Sequence, residues 1–268
     1  MTTLAVAVTG RGLVPVDAPV LPADDEALAR GRAVFETTRV YGGRPFKLAE
    51  HLDRLGFSAE RMGLEPPPRA GLEELVRLAL AEANAPESVL RLYWTPGGTG
   101  IALVAELPPE LEELRARGLR LVSLVGPVVS APWLLGGVKS TSYAVNMAAQ
   151  AEAQRRGADD ALLVTAGSVV LEGPTTNVWW RRGETLYTPA LELGILAGVT
   201  RATIIELSAR DVQEGSFALE EMAVADEIFT SSSVREVMPV TELDGRRIAR
   251  GPAADELQEA LRRYASRR

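Results

Sequence analysis

Few residues of this chain have the type and spacing that catalysis requires. The sequence has one histidine, His51, which a Ser–His–acid triad would have to use, but no G-x-S-x-G elbow accompanies it. The segment "GGVKST" suggests a phosphate-binding loop, but Val138 stands where such a loop requires Gly directly before Lys. Two candidates remain: Lys139, between a glycine loop and a predicted helix, and Glu172, at the end of a very apolar predicted strand. Taken alone, each is typical of a solvent-exposed residue.

The composition predicts a globular chain and argues against several kinds of chemistry. The chain has 268 residues, 46% hydrophobic and 24% charged, with a formal net charge of −7. Its 29 lysine and arginine residues are spread along the sequence, so no nucleic-acid partner is expected. It has no cysteine, which excludes disulfides and thiolate ligands. The acidic segment Asp24–Glu26 has the character of a solvated loop, so no metal site is expected.

The sequence predicts neither a secretory leader nor a membrane span. Residues Met1–Gly10 lack a basic region followed by a long apolar stretch. No later segment approaches the roughly 18 unbroken apolar residues of a membrane helix. We therefore expect a soluble cytoplasmic protein without a membrane partner.

In the first part of the chain, two predicted strands carry polar side chains on one face. The strand "VFETTRVY" places Phe35, Thr37, Arg39 and Tyr41 on one side by its period of two. In "VLRLYWT", Arg91 lies on the less apolar face. Between these strands, "LAEHLDRLGFSAERMG" has the apolar stripe of a helix that ends at Gly63, and a second helix is predicted over about 71–84.

The later part of the chain predicts a second set of helices and strands. A helix at about 108–117 is followed by the strand "LRLVSLVG" and the Gly- and Pro-rich segment "GPVVSAPWLLGG". Lys139 is expected just ahead of a helix that ends at Gly157. The strands that follow are "DALLVT", "SVVLE", the hairpin "NVWWRRGETLYT", "EIFTSSS" and a hairpin that turns at Asp244 and Gly245, with helices at "GVTRATIIELSAR" and at the end.

This order of elements predicts an α+β protein of two domains with largely antiparallel sheets. The smaller N-terminal domain is expected at residues 1–117 and the larger, cofactor-binding domain at 132–268, with a linker at 118–131 between them.

Several segments together resemble the class IV aminotransferases, the fold-type IV group that uses pyridoxal 5'-phosphate (PLP). This group includes the branched-chain and D-amino-acid aminotransferases and aminodeoxychorismate lyase. The segments are "FETTRVYGGRPFKLAEHLDRLGFSAERM", the lysine of "VKS", "EGPTTNVWW" with "LYTP", "GILAGVTR", and "TSSSVREVMPV" followed by "LDG". Each is weak by itself, but their order and spacing are highly specific.

The resemblance assigns the two candidates to one cofactor. Lys139 matches the lysine that forms a Schiff base with PLP, which is also the catalytic proton carrier. Glu172 matches the acid that pairs with the pyridine nitrogen and keeps it protonated, so that the ring accepts electrons released at Cα. Asn177 is expected to hold the turn around Glu172. The resemblance also implies a homodimer and a cofactor in the cleft between the two domains.

The resemblance also implies a site for the cofactor phosphate. Arg54, in the pattern H-x-x-R-L, matches the phosphate arginine of the family, although its place on the helix would by itself predict exposure. Val199 and Thr200 open the helix of "GVTR", where free N–H groups bind anions. Ser233 and the N–H group of Val234 match a second phosphate-binding loop, and an ordinary polar turn is the alternative.

The residues that bind the substrate are less clearly marked, because the chain departs from the family patterns. "GRAVFE" has Arg32 and Ala33 where relatives often have Asp and Gly, and Tyr143 follows Lys139 by four residues where the branched-chain enzymes have a tyrosine at five. The R-x-H pair of the D-amino-acid enzymes is absent. We expect Arg39 and Arg91 to hold a substrate carboxylate, with structural ion pairs as the alternative.

The resemblance predicts a transaminase that moves an amino group from an α-amino acid to a 2-oxo acid. The alternative on the same cofactor is an aminodeoxychorismate lyase that releases pyruvate and 4-aminobenzoate. A protein that binds a phosphorylated ligand without catalysis is less favoured, since phosphate binding needs neither Lys139 nor Glu172.

Overall fold

The computed structural model describes residues 2–126 and 135–267. The chain forms two compact units, one of Met1–Pro109 with Val138–Tyr143 and one of Glu110–Gly137 with Ala144–Arg268. The first unit ends at Pro109, whereas the predicted N-terminal domain ended at residue 117 and was followed by a linker to residue 131. Part of the predicted linker, residues 127–131, lies outside the described residues.

The first unit contains one antiparallel sheet and three helices. Its strands are β1 (Thr3–Val8), β2 (Gly12–Val14), β3 (Val34–Tyr41), β4 (Arg44–Pro45), β5 (Ser88–Trp94) and β6 (Gly100–Ala105). Its helices are α1 (Glu26–Arg30), α2 (Leu48–Arg61) and α3 (Arg69–Ala83). The strand order is β2-β1-β6-β5-β3-β4, and each neighbouring pair is antiparallel.

The two faces of this sheet have different roles, which follow from the alternation of side chains along β3 and β5. Val34, Val40, Leu90 and Leu92 share a buried cluster with apolar residues of α2 and α3. The helices therefore cover the face that carries these residues. The opposite face carries the other set of β3 side chains, from Phe35 to Tyr41, so the period-two prediction for this strand is confirmed.

The second unit contains a larger sheet, five α-helices and the short 3-10 helix Leu191–Leu193 among the described residues. Its strands are β7 (Leu119–Val125), β8 (Asp160–Val164), β9 (Asn177–Arg182), β10 (Thr185–Pro189), β11 (Asp211–Gly215), β12 (Glu227–Ser232), β13 (Glu236–Leu243) and β14 (Arg246–Arg247). Its helices are α4 (Leu111–Arg117), α5 (Ala144–Arg155), α6 (Val199–Leu207), α7 (Leu219–Ala223) and α8 (Pro252–Ser266). The strand order is β11-β10-β9-β12-β13-β7-β8, with β14 beside β13.

The sheet of the second unit is mixed: β10 with β11, β13 with β7, and β7 with β8 are parallel pairs, whereas the other four pairs are antiparallel. Two local predictions for this unit were wrong. "SVVLE" forms only isolated bridges, at Val169 and Val170, and its first residue, Ser168, has a left-handed backbone with φ 60° and so lies outside the extended run. Helix α5 begins at Ala144, so Lys139 does not lie directly ahead of its first turn.

Candidate active site

Lys139 lies at the edge of the smaller sheet, beside the start of β3. The N–H group of Phe35 donates to the Lys139 carbonyl oxygen at 3.0 Å, and that of Thr141 donates to the Ala33 carbonyl oxygen at 2.8 Å. The N–H group of Lys139 donates to Ser58 Oγ on α2 at 3.2 Å. This antiparallel pairing places Lys139 opposite Phe35, so its side chain points to the sheet face that α2 and α3 do not cover.

Aromatic rings surround the lysine amine on that face. Nζ of Lys139 lies 4.4 Å from the ring centre of Phe35 and 5.6 Å from that of Tyr143. Phe35 also contacts Tyr143 edge-on at 5.2 Å and stacks with Tyr93 at 6.0 Å. Tyr143 therefore contacts Lys139 through its ring. The aromatic contacts of Phe35 with Tyr93 and Tyr143 were not predicted from the sequence, although period two placed Phe35 on this face of β3.

Arg39 and Arg91 lie on the same face of the smaller sheet. Arg39 follows Thr37 by two residues on β3, and Thr37 pairs directly with Arg91 on β5. The Arg39 side chain is 9% exposed, its Nη2 lies 3.5 Å from Glu87 Oε2, and its guanidinium lies 5.1 Å from the Tyr41 ring centre. Glu87 is thus the acidic partner that a structural ion pair of Arg39, the alternative interpretation, requires. Arg91 is half-buried.

The place of Arg54 on its helix would by itself predict exposure. Arg54 is instead part of a buried cluster with Glu36 and His51. Its Nε donates to Glu36 Oε1 and its Nη2 to Glu36 Oε2, both at 2.7 Å. Nδ1 of His51 lies 2.7 Å from Glu36 Oε2, and it must carry the proton because a carboxylate only accepts. The structure therefore fixes Arg54 through Glu36.

The electrostatics of this cluster keep Glu36 ionised. Burial would raise the pKa of Glu36, but the charge and hydrogen bonds of Arg54, together with the hydrogen bond of His51, outweigh burial and lower its pKa to about 2. Burial lowers the pKa of His51 against the opposing effect of Glu36. An ionised carboxylate thus lies between a guanidinium and a neutral imidazole. Glu36 was not predicted as a site residue. The sequence feature that could have indicated it is a carboxylate on the face of β3 opposite to Phe35 and Thr37, where an apolar residue is expected.

In the second unit, Glu172 and Asn177 meet at the segment that precedes α6. The N–H group of Leu196 lies 3.2 Å from both carboxylate oxygens of Glu172. Nδ2 of Asn177 donates to the Leu196 carbonyl oxygen at 3.0 Å and lies 3.4 Å from Glu172 Oε2. The half-buried Glu172 side chain therefore has a fixed direction, and Asn177 links it to the segment at Leu196.

The start of α6 is adjacent to this group. A Cβ atom on Gly198 would lie 2.1 Å from Asn177 Oδ1, so only glycine allows the helix start to approach Asn177 this closely. No side chain caps the N-terminus of α6 at Gly198. The helix begins with the buried residues Val199 and Thr200, and its first N–H groups have the arrangement that binds anions.

Ser233 and Val234 lie in the turn between β12 and β13. Asn177, the first residue of β9, pairs with Ser231 near the end of β12. Both the turn and the Glu172 region therefore lie at the same end of the larger sheet. Ser232 Oγ accepts from the N–H group of Arg235 at 3.2 Å, which closes the turn around Ser233 and Val234.

Within residues 2–126 and 135–267, no group of three or more His, Asp or Glu side chains could hold a metal ion. None of the helices in those ranges is both long and apolar enough to span a membrane.

Comparisons with known proteins identify the family. Residues 33–243 match the family described as amino-transferase class IV. A bifunctional aminodeoxychorismate lyase and D-amino acid transaminase of Mycobacterium tuberculosis is 32% identical over 267 residues, which cover 91% of this chain and 92% of the relative.

Solved structures show the same fold. A fold IV-transaminase from Curtobacterium pusillum is 33% identical with a TM-score of 0.88, over 96% of this chain and 92% of that chain. A hypothetical aminotransferase from Mycobacterium tuberculosis, with α-ketoglutarate and PMP bound, is 31% identical with a TM-score of 0.93, over 98% and 100%. The predicted fold class, enzyme class and cofactor are thereby confirmed: the chain belongs to the class IV aminotransferases, PLP-dependent enzymes of fold type IV.

Proposed function

We propose that this protein transfers an amino group from an α-amino acid to a 2-oxo acid, with PLP held by Lys139 and Glu172. The observation that carries this proposal is the group formed by Glu172, Asn177 and the uncapped start of α6. A carboxylate of fixed direction fits the pyridine nitrogen of PLP, and helix N–H groups fit its phosphate. The residues present therefore suit this cofactor.

Two residues carry the proton chemistry. PLP supplies a ring that withdraws electrons from the substrate Cα. Glu172 holds the proton on the pyridine nitrogen, because its carboxylate is already directed by the Leu196 N–H group. Lys139, whose Nζ lies 4.4 Å from the Phe35 ring centre, would hold the cofactor covalently, and its amine would move the proton released at the substrate Cα.

The phosphate and the substrate carboxylate need positive partners and N–H donors. We assign the cofactor phosphate to the N–H groups at Val199 and Thr200, to the turn with Ser233 and Val234, and to Arg54, which Glu36 orients. We assign the substrate carboxylate to Arg39 and Arg91 because both lie on the sheet face to which Lys139 points.

Spectroscopy of the purified protein tests this function. L- and D-amino acids are added singly to the PLP-loaded protein, and absorbance is followed before and after addition of a 2-oxo acid. A transaminase loses the visible band with the amino acid and regains it with the 2-oxo acid. Lys139 and Lys47 are the two lysines of the chain, so Lys47→Ala is the matched control. Lys139→Ala must abolish turnover while Lys47→Ala retains it, and turnover by Lys139→Ala would contradict the proposal.

A second candidate function is the release of pyruvate and 4-aminobenzoate from aminodeoxychorismate. It is supported by the relative at 32% identity, whose name combines this lyase activity with a D-amino acid transaminase activity. Both reactions begin with removal of the Cα proton and differ in the shape of the substrate. Pyruvate formation from aminodeoxychorismate without an added 2-oxo acid would favour the lyase.

We also propose that the protein is a homodimer, which the family resemblance supports. Light scattering coupled to size-exclusion chromatography tests this, and a mass near the 28.7 kDa of one chain would contradict it. A cytoplasmic location and the lack of nucleic-acid and membrane partners stay predictions from the sequence.

A further inference from the structure

Glu236 is a buried carboxylate in a backbone conformation that glutamate rarely adopts. It begins β13 directly after the turn that carries Ser233 and Val234. Its φ is 57°, which lies in the left-handed region, and its side chain is fully buried. Such a conformation persists only where the surrounding contacts hold it.

Three side chains from α4 and α8 hold the Glu236 carboxylate. Nε2 of Gln258 donates to Oε2 at 2.7 Å, and the Nη2 atoms of Arg115 and Arg262 donate to the same oxygen at 3.0 Å each. A buried carboxylate with two guanidinium partners and an amide has its charge and its hydrogen-bonding capacity satisfied. The carboxylate thus ties the start of β13 to two helices.

The same partners also hold the backbone on both sides of Glu236. Arg115 donates to the carbonyl oxygens of Arg235 at 2.9 Å and of Val237 at 3.3 Å. The N–H group of Val237 donates to Gln258 Oε1 at 2.9 Å. None of these contacts uses the Ser233 hydroxyl or the Val234 N–H group. One network therefore fixes the end of the turn and leaves those two donors to other partners.

From this network we infer that Glu236, together with Arg115, is a positioning residue for the phosphate of the cofactor. The inference rests on the proposed function, in which Ser233 and Val234 bind that phosphate. A phosphate is bound tightly only by donors that already point towards it. Glu236 fixes the backbone from which these donors project, without contacting the cofactor itself.

A purely structural role for the cluster makes a different prediction. A network that only stabilises the fold would affect PLP and pyridoxal, which lacks the phosphate, to the same extent. A network that directs the phosphate donors affects PLP alone. Asp244 offers a matched control, because it directly follows the same strand with φ 51° and its Oδ1 accepts from the Ser123 N–H group at 2.7 Å, away from the turn with Ser233 and Val234.

The test measures the affinity of the cofactor-free protein for PLP and for pyridoxal by quenching of tryptophan fluorescence. Wild type is compared with Glu236→Ala, Glu236→Gln, Arg115→Lys and Asp244→Ala, each checked for folding by circular dichroism. We expect the Kd for PLP to rise about tenfold in Glu236→Ala, with pyridoxal affinity within about twofold of wild type. Glu236→Gln and Arg115→Lys, which keep part of the network, should show smaller rises, and Asp244→Ala none.

Two results would overturn the inference alone. One is unchanged PLP affinity in the folded variants of Glu236 and Arg115, and the other is an equal loss of affinity for PLP and pyridoxal. If Glu236→Ala does not fold, the same criteria apply to Glu236→Gln and Arg115→Lys. A wild-type protein that binds no PLP would instead overturn the proposed function, and this inference with it.

Discussion

Glu36 and Arg54 form a two-point ion pair inside the first unit, with Nε–Oε1 and Nη2–Oε2 distances of 2.7 Å. The side chains are 2% and 9% exposed, respectively. Burying two charges costs about as much free energy as their attraction returns, but removing one of them leaves the other unpaired. The main consequence of the pair is therefore a fixed direction for the Arg54 guanidinium, which we assign to the cofactor phosphate.

Loss of Glu36 should destabilise the protein strongly. We expect Glu36→Ala to lower the free energy of unfolding of the cofactor-free protein by about 3–5 kcal/mol, because the buried Arg54 charge loses its carboxylate partner. Glu74 and Arg77 form a matched surface pair at 2.6 Å, with side chains 53% and 64% exposed, and Glu74→Ala should change stability little because solvent screens the pair. Urea denaturation measures both, and equal losses in the two variants would contradict the burial argument.

The same cluster predicts that acid destabilises the folded protein in two steps. Burial, the largest effect, places the pKa of His51 in the folded state below its ordinary value of 6.5. As the pH falls below 6.5, His51 therefore takes up a proton in the unfolded chain before it does so in the folded protein, and the folded protein loses stability. The pKa of Glu36 falls from 4.5 to about 2 on folding. The stability that Glu36 contributes above pH 4.5 is therefore lost as the pH falls from 4.5 towards 2.

Urea denaturation between pH 8 and pH 5 tests the histidine step. We expect the contribution of His51 to the free energy of unfolding of wild type to stay constant above pH 6.5 and to decrease as the pH falls below 6.5. His51→Asn cannot titrate, so its stability should fall less steeply between pH 6.5 and 5. Identical slopes in the two proteins would show that His51 does not contribute.

Gly198 should be essential for the cofactor site. In Gly198→Ala the new Cβ would lie 2.1 Å from Asn177 Oδ1, so the helix start or Asn177 must move. We expect PLP affinity to fall by about tenfold or more, since displaced binding groups lose their alignment. Gly56→Ala in α2 meets no atom within 4 Å and should raise stability by up to about 1 kcal/mol. Full PLP affinity in Gly198→Ala would contradict the assigned site.

Removal of Arg39 or Arg91 tests the assigned substrate site. We expect Arg39→Ala and Arg91→Ala each to raise the KM for acid substrates about 10- to 100-fold, because each removes a charged hydrogen-bond donor, while bound PLP is retained. Arg77→Ala, on an exposed part of α3, is the control. Steady-state kinetics with both substrates provide the measurement. An unchanged KM in both variants would show that these arginines have a structural role, for which the ion pair of Arg39 with Glu87 is the observed example.

Local sequence patterns predicted the elements that depend on local interactions. The alternation in "VFETTRVY" correctly placed Phe35 and Arg39 on one face of β3, because side chains alternate along any strand. The helix α2 was predicted from its apolar stripe, and Gly63 indeed has a positive φ just after it. The interaction of Asn177 with the region of Glu172 was predicted from the resemblance to the family, not from local pattern.

Features that depend on distant partners were not predictable in the same way. The parallel pairing of β7 with β13 joins segments far apart in sequence, and no local pattern encodes it. Arg54 looked exposed on its own helix, because its partner Glu36 comes from β3. The cluster around Glu236 was also missed, since Arg115, Gln258 and Arg262 come together only when α4 and α8 pack against the sheet.

The central claim is that Lys139 and Glu172 act on one PLP ring, and one measurement tests it directly. PLP labelled with ¹⁵N in the ring is bound to wild type and to Glu172→Gln. Reduction with borohydride followed by mass spectrometry identifies the lysine that carries the cofactor, and ¹⁵N NMR reports whether the ring nitrogen is protonated. We predict attachment at Lys139 in both proteins, with a protonated ring nitrogen in wild type and an unprotonated one in the variant. Attachment at Lys47, or the same protonation state in both proteins, would contradict the account.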